Sequence, residues 1–180
     1  MKKSNKEFVS INVGGIKIID KVTNVKTGEV KVYDRDHNLV VDSIMRLVTD
    51  LLKNKITGGI QYWAVGSGSV LWDSTPTEPE ATETTLTNEI GRKAISPSDI
   101  IYVDSENYEV SDVPTNCLQI TCIFYEEDCL GVWREFGLFG GNASSEKDSG
   151  YMIDKKHHDV MTKTDEMVVE RKIILNIGRD

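Results

Sequence analysis

The chain has 180 residues, with 21 Lys and Arg against 29 Asp and Glu, and a formal net charge of −8 at pH 7. A net acidic chain lacks the basic surface that neutralises phosphates, so we predict that it does not bind nucleic acid. No apolar run reaches the ~18–20 residues of a membrane span and no apolar signal segment is present, so no membrane insertion is expected. The length predicts one domain over residues 1–180.

The N-terminal part predicts a β-hairpin followed by a helix. Two β-rich runs flank Lys26-Thr27-Gly28-Glu29, where Gly28 can take the positive φ of a tight turn. From Leu39 to about residue 54, apolar residues recur at steps of three and four, the period of a helix that buries one face. Asn38 is the expected N-cap, and Gly58-Gly59 ends the pattern.

The remaining chain predicts short strands. Residues 73–85 interrupt them with an acidic, Pro- and Thr-rich stretch that we expect to be an exposed loop. In the last strand, Val169, Arg171, Ile173, Leu175 and Ile177 form the more apolar face. We therefore predict a mainly β (α+β) fold, an antiparallel β-sandwich with one amphipathic helix at about residues 39–54 packed on it.

Reactive side chains do not combine into a recognisable site. Ser67 lies between glycines without a placed base, and Cys129 has no evident partner histidine. His157 and His158 are adjacent, so on a strand they point to opposite faces and rarely share a metal ion; a solvated strand end is the simpler interpretation. The triplet 126–128 lacks the spacing of a calcium loop. We predict no enzyme activity, no catalytic or metal-binding residue, and no cofactor.

The stretch GVWREFGLFGGN, Gly131–Asn142, carries large apolar side chains on both faces of a predicted strand. Strict alternation places Trp133 and Phe139 on one face and Phe136 on the other. A strand covered on both sides accounts for this pattern, by the helix on one side and by the second sheet or a neighbouring subunit on the other. We predict that Trp133, Phe136 and Phe139 combine core and protein-interface roles. A carbohydrate platform at Trp133 is the alternative.

Three short segments follow one another in a recognisable order. They are Ala64-Val65-Gly66 with Gly68, then Thr85-Leu86, Asn88-Glu89, Arg92 and Ile95, and last Glu135 with Gly137-Leu138-Phe139. The hairpin turn Thr27-Gly28-Glu29-Val30 and the stretch His37–Val40 also fit. In this order they resemble the N-terminal attachment or adaptor domains of tail-fibre and baseplate-associated, tail collar-type proteins of tailed bacteriophages. Within this segment pattern we expect Arg92 to form an ion pair with Glu135, or with Glu89, that fixes strand register.

The resemblance implies a structural virion protein of a phage tail or tail-like particle, assembled in the bacterial cytoplasm. Such a chain connects the baseplate or tail tube to fibres or to its own copies. It implies a homo-oligomer, most often a trimer, with other tail or baseplate proteins and a tail fibre as partners. The sequence has no fibrous repeats, so receptor recognition is not expected. Two alternatives stay open, a host-surface carbohydrate-binding module and a head or neck component.

Overall fold

Two five-stranded antiparallel sheets face each other across an apolar core in the computed structural model, which describes residues 11–35, 38–104, 106 and 108–179. One helix, α1 (Ser43–Leu52), buries Ile44 and Leu47 against that core. The predicted β-sandwich with a single helix is confirmed. Among the described residues there is no helix with the length and apolarity that crossing a lipid bilayer takes.

The first sheet, sheet A, has the strand order β2 (Val30–Arg35), β1 (Ile11–Asn24), β10 (Met167–Arg179), β7 (Cys117–Phe124) and β6 (Ile100–Tyr102). The predicted hairpin joins β1 to β2. Gly28 in its turn has φ +73°, and the Asn24 side chain accepts hydrogen bonds from the backbone N–H groups of Lys26 and Thr27. These side-chain bonds stabilise the turn in addition to its backbone hydrogen bonds, which is a common role of Asn in turns.

The second sheet, sheet B, has the order β3 (Leu39–Val40), β9 (Tyr151–Lys163), β8 (Gly131–Gly140), β4 (Ile60–Gly66) and β5 (Glu89–Ala94). β8 is its central strand. Trp133, Phe136 and Leu138 all belong to the core between the sheets, whereas Phe139 belongs to a cluster on the other face. The predicted alternation is therefore wrong for Trp133, because an irregularity between Trp133 and Glu135 shifts the register.

A segment of the chain itself covers the outer face of sheet B. This covering segment, residues 70–88, begins with a 3-10 turn at Val70–Asp73, and its Trp72 ring stacks on His157 with centroids 3.8 Å apart. Leu86 packs into the cluster that contains Phe139, and the Ala81 carbonyl accepts a hydrogen bond from the Asp42 N–H. The predicted loop at 73–85 is exposed at most of its side chains, yet its backbone carbonyls at Thr77 and Thr85 bond to His157 and Lys155 of β9.

The helix starts later than the sequence predicted. Leu39 and Val40 pair with Lys155 and Asp154 of β9 instead of forming the first helical turn. Asn38 is not the N-cap, because its buried side chain donates to the Asp154 carboxylate; the N-cap is Asp42, without a side-chain hydrogen bond. At residues 38–40, pairing with the edge of sheet B and burial of the Asn38 amide thus outweigh the helical spacing of the apolar residues.

A buried ion pair lies in the centre of the sandwich. Arg171 of β10 donates its Nε to Asp20 Oδ1 at 2.5 Å and its Nη2 to Asp20 Oδ2 at 2.7 Å, and both side chains are fully buried. Asp20 lies opposite Arg171 in the β1–β10 register, and Arg35 of β2 donates to the same carboxylate at 2.8 Å. The Arg171 guanidinium carbon is 4.1 Å from the Phe136 ring centroid, so the pair also contacts sheet B.

Two neighbouring arginines, Arg171 and Arg35, keep the Asp20 carboxylate ionised. Burial alone raises the pKa of a carboxyl, but the charges and hydrogen bonds of Arg171, and then of Arg35, outweigh burial and lower the pKa of Asp20 to about 2. Asp20 therefore stabilises the fold at every pH above its ordinary pKa, and this stabilisation is lost as the pH falls from that value towards 2.

We expect Asp20→Ala to lower the free energy of unfolding by ~3–5 kcal/mol, because it leaves Arg171 buried without a counter-charge. Urea unfolding followed by tryptophan fluorescence measures the change. The matched control is Glu166→Ala, which breaks the exposed Lys26–Glu166 pair and is expected to change the midpoint little. Equal midpoints for the two variants would contradict the central role of Asp20.

Candidate functional site

The three segments that carry the resemblance meet in sheet B. β4 lies between β5 and β8, so Ala64 is opposite Arg92 on one side and opposite Gly137 on the other. Gly66 is likewise opposite Glu89 and Glu135. Segments far apart in the chain therefore form one contiguous cluster, which we call the β4 cluster (residues 64–68, 85–95 and 135–139).

Glu135 fastens the end of the covering segment to the sheet. Its fully buried carboxylate accepts hydrogen bonds from the backbone N–H groups of Thr87 (3.0 Å) and Asn88 (2.9 Å), and it lies 3.2 Å from the Lys155 ammonium. A Cβ on Gly66 would stand 2.5 Å from Glu135 Oε1. The position opposite Glu135 thus accepts only glycine while the carboxylate keeps this place.

Arg92 fastens the loop at 141–150. It forms a bidentate ion pair with Glu89, with both N–O distances 2.7 Å, and its Nη1 donates to the carbonyls of Ser144 and Ser149 at 3.0 and 3.1 Å. The predicted Arg92–Glu135 pair is wrong. Glu135 is already occupied by two backbone N–H groups and Lys155, so the Glu89 alternative is the pair that forms.

The predicted interface residues lie in the interior. Trp133, Phe136 and Phe139 are fully buried within the single chain. The Trp133 indole donates to the Cys129 carbonyl at 2.7 Å, and the Arg92 guanidinium carbon lies 4.6 Å from the Phe139 ring centroid. The interface assignment of these three residues is therefore corrected to core: the covering segment supplies the layer that the sequence interpretation gave to a neighbouring subunit.

The two adjacent histidines are buried instead of solvated. His157 stacks on Trp72 at the outer face of sheet B, and His158 lies 5.7 Å from the Phe136 ring on the core side. Burial lowers the pKa of both imidazoles, so they are neutral at physiological pH. Within the described ranges, no three His, Cys, Asp or Glu side chains are grouped as metal ligands. Metal independence remains a prediction.

The candidate nucleophiles Cys129 and Ser67, and also the buried Cys122, lie in surroundings that do not favour nucleophilic attack. Burial raises the pKa of Cys122 to about 12 and that of Cys129 to about 11, so both thiols are protonated at neutral pH. Ser67 Oγ accepts a hydrogen bond from the Asn88 amide at 2.5 Å. A thiol held neutral and a hydroxyl bonded to an amide are poor starting points for covalent catalysis.

Asp154 is a buried carboxyl that sequence reasoning missed. It lies in β9, fully buried, and accepts hydrogen bonds from the Leu138 N–H at 2.8 Å and from the Asn38 amide. Burial raises the pKa of Asp154 to about 7, although the two hydrogen bonds and the more distant Arg171 oppose this effect. In the sequence Asp154 follows Tyr151, Met152 and Ile153 but directly precedes two lysines, so no local signal indicated that it is buried.

Comparison with known proteins adds no assignment: no protein-family model matches the chain, and no curated protein matches it either.

The exposed apolar side chains are found elsewhere on the molecule. β2, at the edge of sheet A, exposes Val30, Val32 and Tyr33, and the 3-10 turn of the covering segment exposes Val70 and Leu71. An apolar cleft of about 500 Å³ also lies beside α1, bordered by parts of both sheets. These surfaces replace Trp133, Phe136 and Phe139 as candidate contacts with partners.

We expect Phe139→Ala to unfold the isolated chain more easily, by ~3–5 kcal/mol, because it empties a buried site under the covering segment. Leu71→Ala is the matched control: Leu71 is 81% exposed, so truncation should change stability by less than ~0.5 kcal/mol. Thermal and urea unfolding of both variants measure the difference. A Phe139→Ala chain as stable as Leu71→Ala would restore the surface assignment of Phe139.

We expect the Asp154 contribution to stability to fall as the pH rises from about 4 to about 7. The folded carboxyl holds its proton up to about pH 7, whereas the unfolded one releases it near its ordinary value, so folding takes up a proton in this window. The slope is at most about 1.4 kcal/mol per pH unit. The buried histidines act in the opposite sense, because their pKa is lowered by burial and their contribution to stability grows as the pH rises towards ~6.5 and is complete above it.

Asp154→Asn isolates this effect. The new amide can still accept from the Leu138 N–H, and after a flip of the Asn38 amide it can donate to Asn38 Oδ1, which has no partner among the described atoms. Unfolding free energies of wild type and variant are compared at pH 5 and pH 8. The variant should gain relative to wild type at pH 8. An unchanged difference at the two pH values would show that Asp154 does not titrate between them.

Proposed function

We propose that the chain is a structural protein of a phage tail or tail-like particle, a non-enzymatic adaptor that connects the baseplate or tail tube to fibres or to its own copies. The observation that carries the proposal is the β4 cluster. Three segments that resemble tail attachment domains are also the segments that bond to one another in sheet B. In this chain the three short patterns therefore form one packed unit, which supports assigning them one common role.

The chemistry of the β4 cluster supports a mechanical role. Glu135, Glu89 and Arg92 use their charges to hold backbone groups of the covering segment and of the loop at 141–150. Charge-assisted bonds of this kind, shielded from water, stiffen the segments that they hold. An adaptor must keep its surface loops fixed so that its contacts within the particle persist. Catalysis instead requires free reactive groups.

The partners that we propose are further copies of the chain and other tail or baseplate proteins, including a fibre. The resemblance gives three as the expected number of copies. Exposed apolar side chains on β2 and on the 3-10 turn supply the contact area that self-association and attachment need. The virion tail is the proposed location, reached after synthesis in the bacterial cytoplasm.

The two alternatives differ in what supports them. A host-surface carbohydrate-binding module needs an exposed aromatic platform, and the burial of Trp133 removes the platform that the sequence suggested. A head or neck component has the same fold requirements as a tail adaptor. The location of the chain in the particle distinguishes a tail adaptor from a head or neck component. Binding on a glycan array distinguishes the carbohydrate-binding module from both.

We expect the chain to be present in washed tail particles from the phage or prophage that encodes it, and to occupy density at the baseplate or collar in electron-microscopy maps. Mass spectrometry of purified tails and of purified heads measures its distribution, and a glycan array on the isolated chain should show no binding. A chain found at the head–tail junction would support the neck alternative. Absence from washed particles, with specific glycan binding, would overturn the adaptor proposal.

A further inference from the structure

We propose that β2 is a self-association edge, at which a second copy of the chain adds its own β2 antiparallel, with Val32 opposite Val32 on a two-fold axis. The inference rests on the proposed function, in which the chain contacts its own copies, and it names the surface and the register of one such contact. The two sheets A would then form one continuous sheet across the pair.

The outer edge of β2 is available for pairing. β2 is the terminal strand of sheet A, and within the described residues only β1 pairs with it. Its side chains are exposed from Val30 to Asp34, with Val30 48% and Val32 63% exposed. An unpaired edge with exposed β-branched residues is a template for another strand.

The charges that usually protect an edge strand are partly neutralised inside the chain. The Lys31 ammonium lies 3.3 Å from Glu29, and Asp34 lies 3.2 Å from the Lys17 ammonium. Arg35 is bonded to Asp20, but the same carboxylate also serves Arg171, so a net positive charge remains at Arg35. A second strand approaching β2 therefore meets mostly paired charges and two valines instead of a row of isolated like charges.

Symmetry restricts the possible registers. In an antiparallel pair, opposite residues point to the same face of the sheet. A two-fold axis perpendicular to the sheet keeps each face on the same side in both copies, so odd-numbered residues of β2 oppose odd-numbered ones and even oppose even. The central registers are then those that place Lys31, Val32 or Tyr33 opposite itself.

Charge selects among these three registers. The first places Lys31 opposite Lys31, and the third places Lys31 opposite Arg35, so both oppose like charges. The Val32 register opposes no like charges. It places Lys31 opposite Tyr33, whose ring face attracts a cation. The other residues that lie opposite each other are Val32 and Val32, Val30 and Asp34, and Glu29 and Arg35.

A two-fold contact by itself produces dimers. If the chain also forms the three-fold contact that the resemblance implies, the same edge joins two trimers into a hexamer. In both cases Val32 lies at the symmetry axis, which makes the register directly testable by cysteine cross-linking.

The experiment compares Val32→Cys with Val30→Cys. In the proposed register the two Val32 Cα atoms are ~4.5–5.5 Å apart, within the range that a disulfide spans. The two Val30 residues are four positions apart along the ladder, roughly 14 Å, and cannot be bridged. Under mild oxidation, Val32→Cys should give a disulfide-linked dimer on a non-reducing gel, and Val30→Cys should not. Wild type should not give one either; it controls for a disulfide formed through the partly exposed Cys129.

Two results would overturn the inference. Equal cross-linking of Val30→Cys and Val32→Cys would exclude the register, and a wild-type chain that is monomeric in light scattering at micromolar concentration would exclude the contact. As a second measurement, Val32→Lys places like charges at the axis and should dissociate the pair while each chain stays folded, as circular dichroism would show. A Val32→Lys chain that stays associated would show that another surface makes the contact.

These outcomes are separate from those that test the proposed function. A chain that is monomeric in solution but present in purified tails overturns the β2 contact and leaves the adaptor role standing. A chain that dimerises through Val32 but is absent from particles supports the contact and overturns the adaptor role.

Discussion

An arginine in the middle of a β-sandwich is tolerated only while its charge is compensated, and Asp20 compensates the charge of Arg171. The pair fixes more than one distance. Asp20 is in β1, Arg171 is in β10 and Arg35 is in β2, so three adjacent strands of sheet A must keep one register for the carboxylate to reach both guanidinium groups. A slip of one residue would turn Asp20 to the outer face and leave Arg171 buried alone. The contact of Arg171 with Phe136 carries this constraint across to sheet B.

The outer face of sheet B repeats the same principle with different residues. Glu135 and Lys155 hold the end of the covering segment, and Glu89 with Arg92 holds the loop at 141–150. Apolar packing by Leu86, Phe139 and Met152 fills the space between them. Sheet B is therefore enclosed on both faces by its own chain, which explains why its central strand is rich in large apolar residues without needing a partner there.

Local patterns were sufficient to predict a mainly β chain, the hairpin and the single helix over most of its length, because each pattern is encoded in neighbouring residues; they missed β3 and the true start of the helix. What could not be predicted depends on contacts distant in sequence. The loop at 73–85 has the composition of a free loop, and nothing local shows that Trp72 and Leu86 at its ends are buried. Asn38 matches an N-cap until Asp154, more than a hundred residues later, takes its side chain. One signal was available: Arg171 sits within an apolar stripe, which indicates a buried charge with a partner on a neighbouring strand.

The position of β10 in sheet A has a consequence for biosynthesis. β1 pairs with β10 from Ile11 opposite Arg179 to Asn24 opposite Met167, so a nascent β1 has only β2 beside it until residues 167–179 have been translated. At ~5–20 residues per second this delay is on the order of ten seconds or more. During that interval Ile18 and Val22 face water, and Asp20 has Arg35 but not Arg171 as its counter-charge. Slower translation of the C-terminal strand lengthens the period in which the β1–β2 hairpin can pair with another nascent chain on the same polysome.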